Sequence, residues 1–115
     1  MDTEKMKNIK NANFNIGQVV KHKYYPFRGV VFDIDPEYAN TEEYLMSIPQ
    51  KIRPTKDQPF YHLLAENSET EYIAYVSEQN LLDDVTDELP KHPEIKNLFS
   101  HFEDGKFVPL TRAVN

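Results

Sequence analysis

The hydrophobic pattern takes shape after Phe14. From Gln18 to Tyr24 the chain alternates, with Val20, His22 and Tyr24 on one face and Val19, Lys21 and Lys23 on the other, the period-two signature of a half-solvated strand. Tyr25-Pro26-Phe27-Arg28-Gly29 interrupts the run. Pro26 presets φ for a turn, and Gly29 is expected to take the positive φ that closes a hairpin with a bulge. Val30 to Ile34 runs back as a second strand, with Val30, Phe32 and Ile34 expected on one face, and Asp35-Pro36 ends it because proline donates no ladder bond. Tyr24 and Phe32 are assigned to the core, where Phe32→Ala would cost about 3 to 5 kcal/mol.

A long connection follows from Glu37 to Pro59, punctuated by Pro49, Pro54 and Pro59. Within it, residues 41–48 read as two helical turns, with Asn40 or Thr41 as N-cap, Glu42 and Glu43 near the positive helix start, and Pro49 as terminator. Phe60–Glu66 and Glu71–Ser77 form a second pair of strands around an Asn67–Thr70 turn, and Asn80-Leu81-Leu82 adds a short fifth. Five short antiparallel strands around one small core predict a mainly β fold, a small SH3-like antiparallel β-barrel with a long proline-containing loop. Beyond an acidic stretch from Asp83 to Glu88, Pro93 opens an expected short C-terminal helix in which Ile95, Leu98, Phe99 and Phe102 recur at i, i+3, i+4 and i+7. Gly105 is its expected stop, and Phe107-Val108-Pro109-Leu110 an apolar strap. The domain reading is a flexible N-terminal arm over 1–13, the barrel over 14–83, and a linker, helix and strap over 84–115.

Leu, Ile, Val and Phe make up 30 of 115 residues, enough for one small core and too little chain for two. The chain has no Cys, which removes disulfides, thiolate metal sites and cysteine nucleophiles and fits a reducing compartment, so a cytoplasmic location is expected. No apolar run approaches the roughly 20 residues of a membrane span, so no membrane partner is expected. His22 and His62 stand on different strands, and neither a His-x-x-x-His pair nor a zinc-like spacing accompanies them. Asp33 and Asp35 are read as a solvated pair of ordinary acidity. His92 and His101 are assigned to the linker and to the helix surface. With three glycines there is no phosphate-cradling loop, and no G-x-S-x-G elbow occurs. No catalytic residue, metal site or cofactor is therefore assigned, and an enzyme is the weakest class.

The net charge is −6, with 13 basic against 19 acidic side chains, so duplex DNA could be held only by a local basic patch. Two clusters stand out: Lys21, Lys23 and Arg28 on the first hairpin, and Lys51, Arg53 and Lys56 in the long loop. They are the DNA-binding candidates if the loop folds over the hairpin, and plain solubilising charges if it does not. Tyr25 and Phe27 flank Pro26 at the hairpin tip and are the protein-interaction candidates, for a partner or for a homo-oligomer.

Four stretches in order resemble one family: Phe14-x-Ile16-Gly17-Gln18-Val19-Val20-x-His22, Arg28-Gly29-Val30-Val31-x-Asp33-x-Asp35-Pro36, Pro59-Phe60-Tyr61-His62-Leu63-Leu64, and Tyr75-Val76-x-Glu78-x-Asn80-Leu81. They resemble the HspQ family, also called the YccV-like or hemimethylated-DNA-binding domain family. The resemblance implies an SH3-like barrel, a cytoplasmic, heat-induced accessory protein and no catalytic residue. Two activities come with it. The first is service as a specificity factor or adaptor for a Lon-type protease and its substrates in protein quality control. The second is binding of hemimethylated duplex DNA. The acidic total places the adaptor first at this point and DNA as its alternative.

Overall fold

The computed structural model describes residues 11–110. Most of the expected arm, residues 1–10, and the last five residues of the C-terminal segment lie outside that range. Strands β1 (Val19–His22), β2 (Arg28–Asp35), β3 (Phe60–Glu66), β4 (Glu71–Ser77) and β5 (Leu81–Asp83) form one antiparallel sheet in the order β4-β3-β2-β1-β5. Strand β4 pairs with β3 alone and β5 with β1 alone, so the sheet stays open and is not the closed barrel expected. Helix α1 (Glu42–Ser47) lies in the long connection, capped by the Thr41 hydroxyl, which accepts from the Tyr44 amide at 3.0 Å. A 3-10 turn over Gln50–Ile52 follows.

Strand β2 departs from simple alternation. A bulge between Val31 and Asp33 shifts its register against β3. Val31 and Ile34 consequently pack into one cluster with Val20, Tyr61, Leu63 and Leu81, whereas Val30 packs with Val19, Leu64, Phe99 and Phe107 in another. Ile34 therefore does not share the Val30 face, and Phe32 is a half-buried neighbour of the second cluster rather than a core residue. Gly29 has no positive φ. It lies within β2, where a Cβ would meet the Leu64 carbonyl oxygen at 2.7 Å, so its role is close strand approach. Tyr24, expected in the core, is 61% exposed, because β1 ends at His22 and alternation stops there.

The C-terminal helix is a single turn, α2 (Ile95–Leu98), and the chain then enters a hairpin of β6 (Phe99–Glu103) and β7 (Lys106–Pro109). Asp104 and Gly105 both have positive φ, 52° and 83°, the two-residue turn that matches strand twist. Phe99 and Phe107 carry the hairpin into the second cluster. His92 is buried, its Nδ1 accepting from the Glu94 amide at 3.1 Å. Gly17 fastens this hairpin to the sheet. Its amide donates to the Val31 carbonyl at 2.7 Å and its carbonyl accepts from the Phe107 amide at 2.8 Å, at a φ of 90°.

The two positive-φ glycines should therefore respond differently to alanine. At Gly17 the added Cβ would run into the Phe107 carbonyl, while at Gly105 it would meet open space. Gly105→Ala is expected to cost about 1 kcal/mol from backbone strain alone. Gly17→Ala should cost at least about 3 kcal/mol, lowering the melting temperature by more than about 10 °C. Parallel thermal melts check the difference, and equal losses would mean that the Gly17 seam is dispensable.

Candidate nucleic-acid interface

The first hairpin turns through Lys23–Phe27, where His22 organises the backbone. Its Nδ1 accepts from the amides of Tyr24 and Tyr25 at 3.0 and 3.1 Å, which leaves the proton on Nε2 in the neutral ring. Burial lowers the His22 pKa, so neutrality is the state this turn requires. The Tyr25 ring stacks on the imidazole at 4.8 Å, and Phe27 lies against its other partners, His22 at 5.1 Å and Tyr72 at 5.7 Å. The two interaction candidates thus differ in kind. Tyr25 is 44% exposed, while Phe27 is half-buried against the first cluster.

The six candidate cations separate into two sets. Arg28 is an internal clamp: it pairs with Glu66 at 3.2 Å and Asp84 at 3.3 Å, and donates to the Thr86 hydroxyl at 2.9 Å and to the Glu88 carbonyl. Burial alone would raise the Asp84 pKa; hydrogen bonds from Thr86 and Arg28, with the Arg28 charge, outweigh it and hold the carboxyl below its ordinary range. Arg53 donates to the Ile48 carbonyl at 2.9 and 3.1 Å and to the Met46 carbonyl at 3.1 Å, satisfying backbone oxygens left over at the end of α1. Lys56 pairs with Glu42. Lys21, Lys23 and Lys51 are exposed and form no ion pair among the described residues. Charge counting along the chain cannot see this division, because the partners of Arg28 arrive 38 and 56 positions later.

Two concavities meet at the hairpin tip. An open groove is lined by Lys21, Lys23, Pro26 and Arg28 together with Glu66, Asp84 and Glu88, the last three in direct contact with Arg28. A cavity of about 340 Å³ lies between the β4 residues Tyr72–Ser77 and the connection from Tyr44 to Pro54, with Asn80 and His22 also at its walls. His22, Tyr25 and Phe27 belong to both. Lys51 sits on the 3-10 turn beside Ile52, a residue of the cavity wall.

The family model described as hemimethylated DNA-binding protein YccV like matches residues 12–106. The chain belongs to the YccV-like family. No solved structure matches the YccV-like chain. The family is one of binding domains, in keeping with the lack of a catalytic constellation in the sequence reading. Among the described residues of the YccV-like domain no helix is long and apolar enough to cross a membrane.

Sequence reasoning missed two features of this YccV-like domain. Ser77, the last residue of β4, is 1% exposed, and its Oγ is the one buried side-chain polar atom among the described residues without a hydrogen-bond partner. No sequence signal marks it, since the property lies in what surrounds it. Asp35 is the other. It is half-buried rather than solvated, and its Oδ2 faces His62 Nε2 at 3.0 Å and accepts from the Tyr75 hydroxyl at 3.0 Å. With exposed Asp33 these groups place three potential metal-ligand atoms within 4.8 Å of one another, but the inner carboxylate is already satisfied by protein donors. His22 and His62 do not share a partner.

The buried imidazole of His22 gives a pH dependence with a definite sign. Its folded pKa lies below the ordinary 6.5, so between the two values the unfolded chain binds more protons. Stability is complete above about 6.5 and falls as pH drops through the folded value. The melting temperature should therefore decline from about pH 7.5 to about pH 5, and His22→Gln should flatten that decline. A decline of unchanged steepness in the variant would assign it to other groups.

Proposed function

We propose that this YccV-like domain is a non-enzymatic duplex-DNA-binding module, with hemimethylated DNA as its target and Lys21, Lys23 and Lys51 as its phosphate contacts. The observation that carries the reading is the shared aromatic wall: the groove that holds Lys21 and Lys23 shares His22, Tyr25 and Phe27 with a ring-lined cavity. Phosphate contact and base contact are thereby adjacent, as single-strand and base-reading surfaces require. The description of the family supports the same target. Arg28, Arg53 and Lys56 are committed internally and enter only as supports, Arg28 holding the acidic segment beside the groove and Arg53 holding the connection that covers the cavity.

The measurement is salt dependence. Three phosphate contacts imply a slope of log affinity against log salt of about 2.7, since each contributes about 0.9. Lys21→Ala with Lys23→Ala should lower the slope by about 2, whereas Lys56→Ala should leave it unchanged. Fluorescence anisotropy on a labelled hemimethylated duplex reads both numbers. Binding that ignores salt, or a slope that Lys56 controls as strongly as Lys21 and Lys23, would overturn the assignment.

A second reading, adaptor for a Lon-type protease in the cytoplasm, is supported by the open edge of the sheet. Among the described residues strand β4 pairs with no strand on its outer side, and Ile73 on it is 56% exposed, a combination that suits addition of an extended peptide strand. Under that reading Ile73→Lys abolishes stimulation of proteolysis, and Lys21→Ala with Lys23→Ala leaves it intact. Loss of stimulation in the double lysine variant would place both activities on one surface.

A further inference from the structure

The outer edge of β4 and the cavity beside it meet at one place. Hydrogen bonds at the two ends of the β3–β4 pair fix which way the β4 backbone points. The Asn67 amide donates to the Thr70 carbonyl at 3.0 Å and the Glu78 amide to the Pro59 carbonyl at 2.9 Å, so the even-numbered residues of β4 turn their peptide groups toward β3. Those of Glu71, Ile73, Tyr75 and Ser77 turn outward. The Tyr75 carbonyl accepts from the Tyr44 hydroxyl at 2.9 Å, which closes the edge at that end. Among the described residues the amide and carbonyl of Ile73 and the amide of Tyr75 have no partner. The cavity of about 340 Å³ adjoins this stretch, and Ile73, 56% exposed yet part of its wall, marks the mouth. On the face that carries the first cluster, the short Ala74 side chain stands between Tyr72 and Val76, all three at the cavity wall. No Lys, Arg, Asp or Glu lines it, and its volume stands at the small end of ligand pockets, room for one large apolar side chain.

Backbone chemistry and charge decide what this edge takes. Outward amides alternating with outward carbonyls are matched by a second extended polypeptide, which brings both acceptors and donors, whereas a phosphodiester backbone brings acceptors alone. Glu69 and Glu71 stand at the open end of the edge, exposed and in no ion pair among the described residues, so phosphate is repelled there and a cation attracted. Lys21, Lys23 and Lys51, the phosphate contacts of the DNA reading, line no part of the cavity. We propose that β4 takes up an extended segment of another protein in which a large apolar side chain lies three positions from a lysine or arginine. The apolar side chain, opposite Ala74, enters the cavity between Tyr72 and Val76. The base, opposite Glu71, falls on the other face of the sheet, because strand positions three apart point to opposite sides, and there it pairs with the unpaired carboxylate. Pairing stops at Tyr75, where Tyr44 occupies the edge, so a few residues make the whole contact. This rests on the strand-addition reading above and names the segment that is added.

The test uses the full chain and a short, labelled, threonine-rich peptide with phenylalanine three positions before lysine, beside counterparts bearing alanine for the phenylalanine or glutamate for the lysine. In anisotropy titrations the alanine peptide should bind at least about tenfold more weakly and the glutamate peptide about threefold more weakly. Glu71→Lys, an exposed change that should keep the melting temperature, is expected to reverse the charge preference, so that the glutamate peptide becomes the tighter one. Ala74→Leu fills the gap between Tyr72 and Val76 and should abolish the preference for phenylalanine. If Ala74→Leu melts early, Glu71→Lys decides alone. Amide hydrogen exchange locates the contact: the peptide should slow Ile73 and Tyr75, which face outward, and leave Ala74, already bonded to β3, unchanged. Slowing of Ile73 without either side-chain preference would overturn the proposal and leave strand addition standing. No slowing by any of the peptides would overturn strand addition as well. An Ile73 amide already slow without peptide, in a sample that sediments as a dimer, would show that a second copy covers the edge and overturn the proposal. Slowing by a DNA duplex in place of the peptide would assign the edge to nucleic acid, with the same consequence.

Discussion

The bulge in β2 is the constraint on which the other features depend. Strand alternation sets Val30 and Val31 on opposite sides, as it does Leu63 and Leu64, and the additional residue between Val31 and Asp33 brings Ile34 onto the Val31 side while Phe32 stays with Val30. The same register shift sets Asp33 opposite His62 and Asp35 opposite Phe60, which brings the Asp35 carboxylate within reach of His62 and Tyr75. Tyr75 in turn links β4 to the long connection, since the Tyr44 hydroxyl donates to its carbonyl at 2.9 Å and its own hydroxyl accepts from the Ala39 amide. The position of the connection over β4, and with it the cavity, follows from that chain of contacts.

Local pattern made the central strands legible, and long-range pairing hid the rest. Phe60–Glu66 and Glu71–Ser77 read correctly to the residue because alternation and the Asn67–Thr70 turn agree. Closure into a barrel was not legible, because it depends on whether the outer edge of β4 finds a partner, and nothing local to β4 states that. The C-terminal misreading has a sharper cause. Ile95, Leu98, Phe99 and Phe102 satisfy helical spacing, but Phe99 and Phe102 belong to a strand paired across Asp104-Gly105, and an Asp-Gly pair flanked by alternating apolar residues is itself a hairpin signal. Gly105, expected as a helix stop, instead serves the hairpin turn through its positive φ.

The interface was legible as residue types and illegible as electrostatics. Six cations in two windows look like one patch until their partners are placed, after which three have internal partners and Lys21, Lys23 and Lys51 form no ion pair among the described residues. Arg28 and Arg53 are spent internally, so the candidates left outside are lysines, point charges without the fork that fixes orientation on a base edge.

The Gly17 seam also has a temporal side. Its carbonyl is closed by the amide of Phe107, 107 minus 17 or 90 residues further along the chain. A ribosome adding about 5 to 20 residues per second needs roughly 5 to 20 seconds to deliver that partner. During the interval the nascent sheet can pair its first four strands while Val19, Val30 and Leu64 still lack Phe99 and Phe107 over them. A half-built chain of this kind is a customer for chaperones before it becomes a partner for anything else.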